Sequence, residues 1–161
     1  ACAGRCAAAG TRSGRNGGLA TVLHGYARLT ADVDLAVDLA PEEATKMIQA
    51  LVAKGFRPQV PVSAEEFANP VVREVWLQEK HMRAFSLVDP TNPMRVVDLL
   101  LKPEVPFEEL LARSQEVMLN RTQIRIASID DLIALKRQAG RPQDLADIEQ
   151  LEIIRRQKRD R

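Results

Sequence analysis

The sequence predicts an α/β (α+β) domain, in which a mixed β-sheet carries flanking helices and a C-terminal helical pair. Short runs with the period of two typical of strands are separated by stretches with the 3.6-residue spacing of amphipathic helices. The chain has 161 residues and 45% hydrophobic content, which suits one core but hardly two. A turn-rich segment, 89–93, joins two predicted strands directly, so one hairpin interrupts the alternating order.

The first half of the chain follows a leader at residues 1–16, which is almost wholly Ala, Gly, Arg, Ser and Thr and is predicted to be flexible. A helix from Pro41 is favoured because Pro suits a first helical turn and Gly55 stops the helix. The predicted elements are a helix at 18–23, a strand at 32–39, a helix at 41–54, a strand at 56–62 and an ambiguous, partly helical stretch at 65–79 whose Trp76 belongs to the core.

The second half begins with the predicted hairpin and ends with two helices. Ser128 and Asp131 resemble a capping box at the start of a helix, Gly140 ends that helix, and Pro142 starts the last one. The predicted elements are strands at 83–88 and 95–101, a helix at about 106–118, a strand at 123–126, and helices at 129–139 and from 142 into a basic tail at 155–161.

Acidic residues interrupt two of the predicted strands. Asp32 and Asp34 are two residues apart, so both project from one strand face and can reach a shared hard cation such as Mg²⁺. The alternation is equally typical of a solvated strand face. Asp98 interrupts an aliphatic strand, where an unpaired charge is costly. A metal shared with the other two aspartates would compensate it, and so would an ion pair with Arg83 or Arg95.

Two opposite charges fall on the apolar faces of the last two predicted helices. Lys136 lies in the stripe formed with Ile129 and Leu132, and Asp144 lies between Ile148 and Leu151. Inward-facing charges need partners. They form either a partly buried ion pair that joins the helices or part of a functional site.

The segment GGLATVLHGYARLTADVDL at residues 17–35 resembles the signature of the polymerase beta-type nucleotidyltransferase superfamily. Within it, the sequence is most similar to bacterial minimal and abortive-infection (AbiEii-like) toxin nucleotidyltransferases. The likeness continues through 83–98 and 126–151, and so covers roughly residues 17–154, the predicted nucleotidyltransferase-like domain. A helix start with small residues, as at Gly17 and Gly18, also offers free backbone N–H groups to phosphates.

The resemblance implies the nucleotidyltransferase fold and transfer of a nucleoside monophosphate from a nucleoside triphosphate (NTP) to a hydroxyl acceptor. The implied acceptors are RNA, including tRNA, protein or a small compound, and a cognate antitoxin is the implied partner. Asp32, Asp34 and Asp98 would hold two Mg²⁺ ions, while Gly17 and Gly18 would cradle the phosphates.

The resemblance also implies roles for cationic residues and for one more carboxylate. Lys136 would neutralise triphosphate charge and Asp144 would orient it, since the pattern of Lys136, Arg141 and QDLADI at 143–148 matches an active-site pattern of related toxins. Arg28 is a further candidate for a phosphate contact.

The sequence departs from the family before Gly17, where residues 10–16 lack the apolar strand expected there. The first strand is therefore predicted to be missing, and the leader is interpreted as a truncated, fused or frame-shifted replacement. This departure favours an alternative, a catalytically weak or inactive interaction module of a toxin-antitoxin pair. A nucleic-acid binder that uses the basic tail is less favoured, because five cations in the last seven residues are typical of a solvated helix end.

Composition argues against several other classes of protein. A net charge of +1 gives no strong field toward nucleic acid, and neither a membrane span nor a secretory signal is seen, so a cytoplasmic location is expected. Cys2 and Cys6 lack the second Cys/His pair of a zinc site. His24 and His81 are interpreted as ordinary surface or capping residues.

Overall fold

The computed structural model describes residues 13–15, 17–26, 32–103, 105–119 and 121–160. Within these ranges seven strands form one mixed sheet. They are β1 (Ser13–Arg15), β2 (Asp32–Val37), β3 (Arg57–Pro58), β4 (Ala84–Asp89), β5 (Asn92–Leu100), β6 (Gln115–Leu119) and β7 (Thr122–Ile126).

Helices flank this sheet, as the sequence predicts. They are α1 (Gly18–Leu23), α2 (Pro41–Ala53), α3 (Pro70–Glu79), α4 (Phe107–Arg113), α5 (Ile129–Ala139) and α6 (Pro142–Arg159), with a 3₁₀ helix at Ala64–Ala68. The mixed α/β class and the C-terminal helical pair are thus confirmed. No helix among the described residues is long and apolar enough to cross a membrane.

The strand order is β3-β4-β5-β2-β1-β7-β6. The centre of the sheet is a parallel pair, β2 beside β5, although 54 residues separate the last residue of β2 from the first of β5. β1 runs antiparallel to β2 and parallel to β7, so it joins the two halves of the sheet. The hairpins β4–β5 and β6–β7 complete the sheet.

Two apolar clusters pack against this one sheet, where the sequence predicts a single core. In the first, α2, α3 and the 3₁₀ helix cover β2, β4 and β5, and Trp76 stacks on Phe85 with ring centroids 5.1 Å apart. Trp76 is 2% exposed, so its predicted place in the core is confirmed. The second cluster joins α1, β7, α5 and α6 around Leu132 and Leu151.

Local signals set the predicted helix ends. Ser128 Oγ accepts a hydrogen bond from the backbone N–H of Asp131 at 3.1 Å, and Asn69 caps α3 in the same way. Gly140 ends α5 with φ of 65°, a left-handed conformation that glycine adopts at little cost. Helix boundaries of this kind depend on a few adjacent residues, which is why the sequence predicts them well.

The prediction that the first strand is missing is wrong for residues 13–15. β1 pairs with Ala36 and its neighbours on β2, and Arg15 pairs with Ile126 on β7. Strand pairing uses backbone N–H and C=O groups, so a position inside a sheet can be filled without an apolar sequence. The rest of the predicted leader, with Cys2 and Cys6, lies outside the described residues.

Two predicted elements are shorter than the sequence suggests. The strand predicted at 56–62 is reduced to two residues, because Pro58 and Pro61 lack the N–H that continued pairing needs. The helix predicted at 106–118 ends at Arg113, and residues 115–119 form β6. Pairing with β7, where Val117 lies opposite Ile124, outweighs the helical pattern of that segment.

Candidate active site

A row of polar side chains crosses the centre of the sheet. The β2–β5 register places Asp34 directly opposite Asp98, and the β4–β5 register places Ser86 opposite Asp98 on its other side. Directly opposed residues on neighbouring strands share a face of the sheet, and such strands lie about 4.7–4.9 Å apart. Asp32 precedes Asp34 by two residues and so projects from the same face. The structure therefore brings the three predicted aspartates to one face of the sheet.

Burial and mutual repulsion disfavour the negative charges of this row. Asp98 Oδ1 is buried and has no hydrogen-bond partner among the described residues. Burial, and then the charge of Asp98, raise the pKa of Asp34 above 3.8, while the charges of Arg141 and Lys136 oppose the rise. Carboxylates held together in this way favour either a proton or a cation between them.

Asp98 does not form the ion pair with Arg83 or Arg95 that the sequence allowed. Arg95 is three residues before Asp98 on β5, so it lies on the other face, where its Nη1 donates to Asp89 Oδ2 at 2.5 Å. Arg83 lies beside Leu101 and not opposite Asp98. The Leu101 N–H donates to the Arg83 carbonyl. Neither arginine that the sequence offered as an ion-pair partner therefore lies opposite Asp98.

Gly17 lies against the carboxylate of Asp34 just before α1 begins. A Cβ on Gly17 would stand 1.4 Å from Asp34 Oδ2 and 2.3 Å from Asp34 Cγ. The φ of Gly17 is −95°, so glycine is needed for space and not for a left-handed backbone. Gly17 therefore adjoins the carboxylate row, and Gly18, the first residue of α1, is buried.

A buried charge cluster joins α5 to the start of α6. Lys136 Nζ lies 2.5 Å from Asp147 Oδ2 and 3.3 Å from Asp144 Oδ1, so the predicted Lys136–Asp144 contact is present but Asp147 is closer. Arg141 Nε donates to Asp144 Oδ2 at 2.7 Å. Although burial works to raise the pKa of Asp144, these two cations hold it below 3.8.

Sequence reasoning missed three residues of this region as site residues. Asp147 follows Asp144 by three positions, a spacing that puts both on one helix face and could have predicted their shared cation. Arg141 is the N-cap of α6, and only proximity in the fold brings its charge to Asp34 and Asp98. No local pattern in the sequence marks Ser86 as a neighbour of Asp98. Arg28, the further candidate for a phosphate contact, lies outside the described residues.

The donor atoms of this row are suited to a hard divalent cation. It contains carboxylate oxygens, which Mg²⁺ prefers, and one of them is buried with no hydrogen-bond partner from the ranges that the structure describes. Among the described residues, however, no three His, Cys, Asp or Glu side chains are already close enough to hold a metal ion. Binding would therefore draw the carboxylates closer together.

Comparison with known proteins agrees with this architecture. Residues 97–161 match the family described as "Nucleotidyl transferase of unknown function (DUF2204)". That match includes Asp98 and the Lys136 cluster but not Gly17 or the β2 aspartates. No curated protein matches the sequence significantly.

Two similar solved structures carry nucleotidyltransferase names. An antigenic nucleotidyltransferase-like protein from Paracoccidioides brasiliensis is 19% identical with a TM-score of 0.55, over 93% of this chain and 71% of that one. The lincomycin-bound lincosamide antibiotic adenylyltransferase LnuA is 17% identical with a TM-score of 0.55, over 88% and 86%. The AbiEii-like subtype stays a prediction. The family that residues 97–161 match is described as a nucleotidyl transferase, and the chain has the nucleotidyltransferase fold.

Proposed function

We propose that the protein transfers a nucleoside monophosphate from an NTP to a hydroxyl acceptor. The acceptor oxygen forms a bond to the α-phosphorus, its proton is released, and the bond to pyrophosphate breaks. The observation that carries this proposal is the in-register pair of Asp34 and Asp98 beside Gly17, in which a buried oxygen of Asp98 has no hydrogen-bond partner within the described part of the chain.

The carboxylate row would hold two Mg²⁺ ions through Asp32, Asp34 and Asp98. Bound there, the ions supply charge stabilisation for the attacking and leaving oxygens of the transfer. The backbone N–H groups at Gly17 and Gly18 are suited to the nucleotide phosphates because they lie at the start of a helix. Gly17 also leaves open the space next to Asp34, which a side chain would fill.

The order of the strands suggests which side each substrate takes. Gly17 contacts Asp34 at the β2 end of the row, whereas Ser86 lies on β4 beyond Asp98. The phosphates of the nucleotide would therefore occupy the β2 side and the acceptor hydroxyl the β4 side. Ser86 is then a polar neighbour for the acceptor.

The acceptor class is proposed as RNA, including tRNA, protein or a small hydroxyl compound, with a toxin role beside a cognate antitoxin in the cytoplasm. One structural neighbour is named as a lincosamide antibiotic adenylyltransferase, which favours testing small compounds alongside tRNA. The inactive-module alternative rested on a missing first strand. Since β1 occupies that place in the sheet, this reason for the alternative no longer applies.

The test is transfer of label from each α-³²P-labelled NTP, with Mg²⁺, to total tRNA, to the protein itself and to a panel of hydroxyl compounds. We expect Asp34→Asn and Asp98→Asn to lower labelling by at least about 100-fold, because each removes charge that a cation and the transferring phosphate require. The exposed Asp130→Asn, which removes a carboxylate paired with Arg155, is the matched control. Labelling retained in both aspartate variants would defeat the proposal.

A further inference from the structure

Two cations adjoin the carboxylate row, and they share the carboxylate of Asp144. Lys136 contacts Asp144 Oδ1, while Arg141 contacts Asp144 Oδ2. Their exposure differs sharply: the Lys136 side chain is 7% exposed and that of Arg141 is 73% exposed. This difference decides which of them a phosphate in solution can reach.

Lys136 is already enclosed by two anionic partners. Its Nζ lies 2.5 Å from Asp147 and 3.3 Å from Asp144, and both carboxylates are more deeply buried than the lysine. The ammonium has three N–H donors, and a phosphate that approached it would compete for them with two buried carboxylates. Lys136 is therefore satisfied within the fold and joins α5 to α6.

Arg141 is held in place but remains accessible. Asp144 Oδ2 accepts from Arg141 Nε at 2.7 Å and from the Arg141 backbone N–H at 3.3 Å, so one carboxylate fixes both ends of the residue. Arg141 Nη2 also lies 3.5 Å from Asp144 Oδ1, so the guanidinium faces Asp144 through Nε and Nη2, and the donors of Nη1 are not used by these contacts. Arg141 also caps the 18-residue helix α6, whose N-terminal dipole favours anions.

The position of Arg141 relative to the carboxylate row gives an independent reason to expect a ligand. The hydrogen bond to Asp144 raises the pKa of Arg141 most, and the charges of Asp34 and Asp98 contribute to the rise. Asp98 Oδ1 is buried and without a hydrogen-bond partner among the described residues. A triphosphate whose metal-binding oxygens reach Asp98 would therefore pass close to the guanidinium.

We propose that Arg141, rather than Lys136, is the residue that binds the triphosphate of the nucleotide, and that Asp144 is the positioning residue that holds Arg141 for it. This inference rests on the proposed function and assigns the phosphate contact within the same site. An arginine fork binds two phosphate oxygens at once, and the contact we infer is to the phosphates that a nucleoside monophosphate lacks. The contact therefore distinguishes NTP from nucleoside monophosphate.

The test measures binding of fluorescent methylanthraniloyl derivatives of ATP and AMP to the full chain with Mg²⁺. In Arg141→Gln we expect ATP affinity to fall by about 10–100-fold, the equivalent of one lost charge-assisted contact, with AMP affinity changed by less than about twofold. Arg137→Gln is a matched control, because that arginine is 63% exposed and bound to Glu152 at 2.9 Å in a similar manner. It should change neither affinity.

The positioning role of Asp144 is tested by a double-mutant cycle. Asp144→Asn should weaken ATP binding when Arg141 is present and have little further effect in Arg141→Gln. Equal losses for ATP and AMP in Arg141→Gln, or equal losses in Arg141→Gln and Arg137→Gln, would overturn the inference while leaving the proposed function intact. Failure of the unaltered chain to bind any NTP with Mg²⁺ would overturn both.

Discussion

Substitution of Gly17 tests the geometry of the carboxylate row without knowledge of any substrate. An alanine Cβ at this position would stand 1.4 Å from Asp34 Oδ2, and real Cβ atoms essentially never come within 3.0 Å of such neighbours. The carboxylate would have to withdraw by about 1.6 Å, the difference between those two distances. Asp34 lies on a central strand opposite Asp98, so the withdrawal would disturb the packed face of the sheet.

The expected cost of Gly17→Ala follows from this overlap. Forcing extra atoms into a packed site costs about 1–3 kcal/mol of unfolding free energy. The φ of −95° adds no left-handed strain, so the penalty is steric. If the row is catalytic, a displacement of more than about 1 Å should also lower nucleotidyl transfer by at least about 100-fold.

The assay is urea unfolding followed by the fluorescence of Trp76, the single tryptophan, which is 2% exposed. Gly17→Ala is measured alone and in an Asp34→Ala background, where the atoms that give the two shortest contacts are absent. We expect the cost of Gly17→Ala to fall by at least about 1 kcal/mol in that background. The contact at 2.8 Å from the Asp34 Cβ remains, so some cost should persist.

A backbone control separates this effect from the general cost of replacing glycine. Gly55 has φ of 92° and no neighbour within 4 Å of an added Cβ, so Gly55→Ala should cost about 1–2 kcal/mol through backbone strain alone. That cost should be the same with Asp34 or alanine at position 34. An equal cost of Gly17→Ala in both backgrounds would refute the close approach of Gly17 to Asp34.

Two further predictions concern buried charges. Lys136→Met should lower the unfolding free energy by about 3–5 kcal/mol because it removes the cation that lies between the buried carboxylates of Asp144 and Asp147. Arg137→Met, at an exposed ion pair, should cost less than about 1 kcal/mol in the same urea assay. Similar losses for the two variants would contradict the buried role of Lys136. Burial lowers the pKa of His24 below 6.5, outweighing the opposing hydrogen bond to Ala127. The neutral form of His24 is therefore favoured in the folded protein. The stability that comes from keeping this histidine neutral is fully present above pH 6.5, and it is lost as the pH falls through the lowered pKa. Stability should then decline more steeply from about pH 7.5 to about pH 5.5 than in His24→Gln, and parallel pH curves would count against this origin.

Sequence reasoning predicted the helix ends and the common face of Asp32 and Asp34 because these features depend on neighbouring residues. A period of two fixes the face of a strand, and Ser128 and Gly140 determine the limits of α5 through local hydrogen bonding and φ. The need of Lys136 for an anionic partner was also predicted, since an inward charge is costly in any fold.

The identity of partners was harder to predict because it depends on how distant elements meet. Asp147 lies closer to Lys136 than Asp144 does, a choice made by the packing of α5 on α6. β6 replaces the end of a predicted helix because β7 is available to pair with it. Each difference arises where tertiary contacts outweigh a local preference.

The sequence by itself determined the residues with the chemistry of the site: carboxylates on one strand face, a glycine pair at a helix start and inward charges on the last helices. Only the tertiary structure decided that Asp34 stands opposite Asp98, that Gly17 touches Asp34 and that residues 13–15 complete the sheet. Strand register and backbone pairing join segments far apart in the chain, and no local periodicity specifies which distant residue becomes the neighbour.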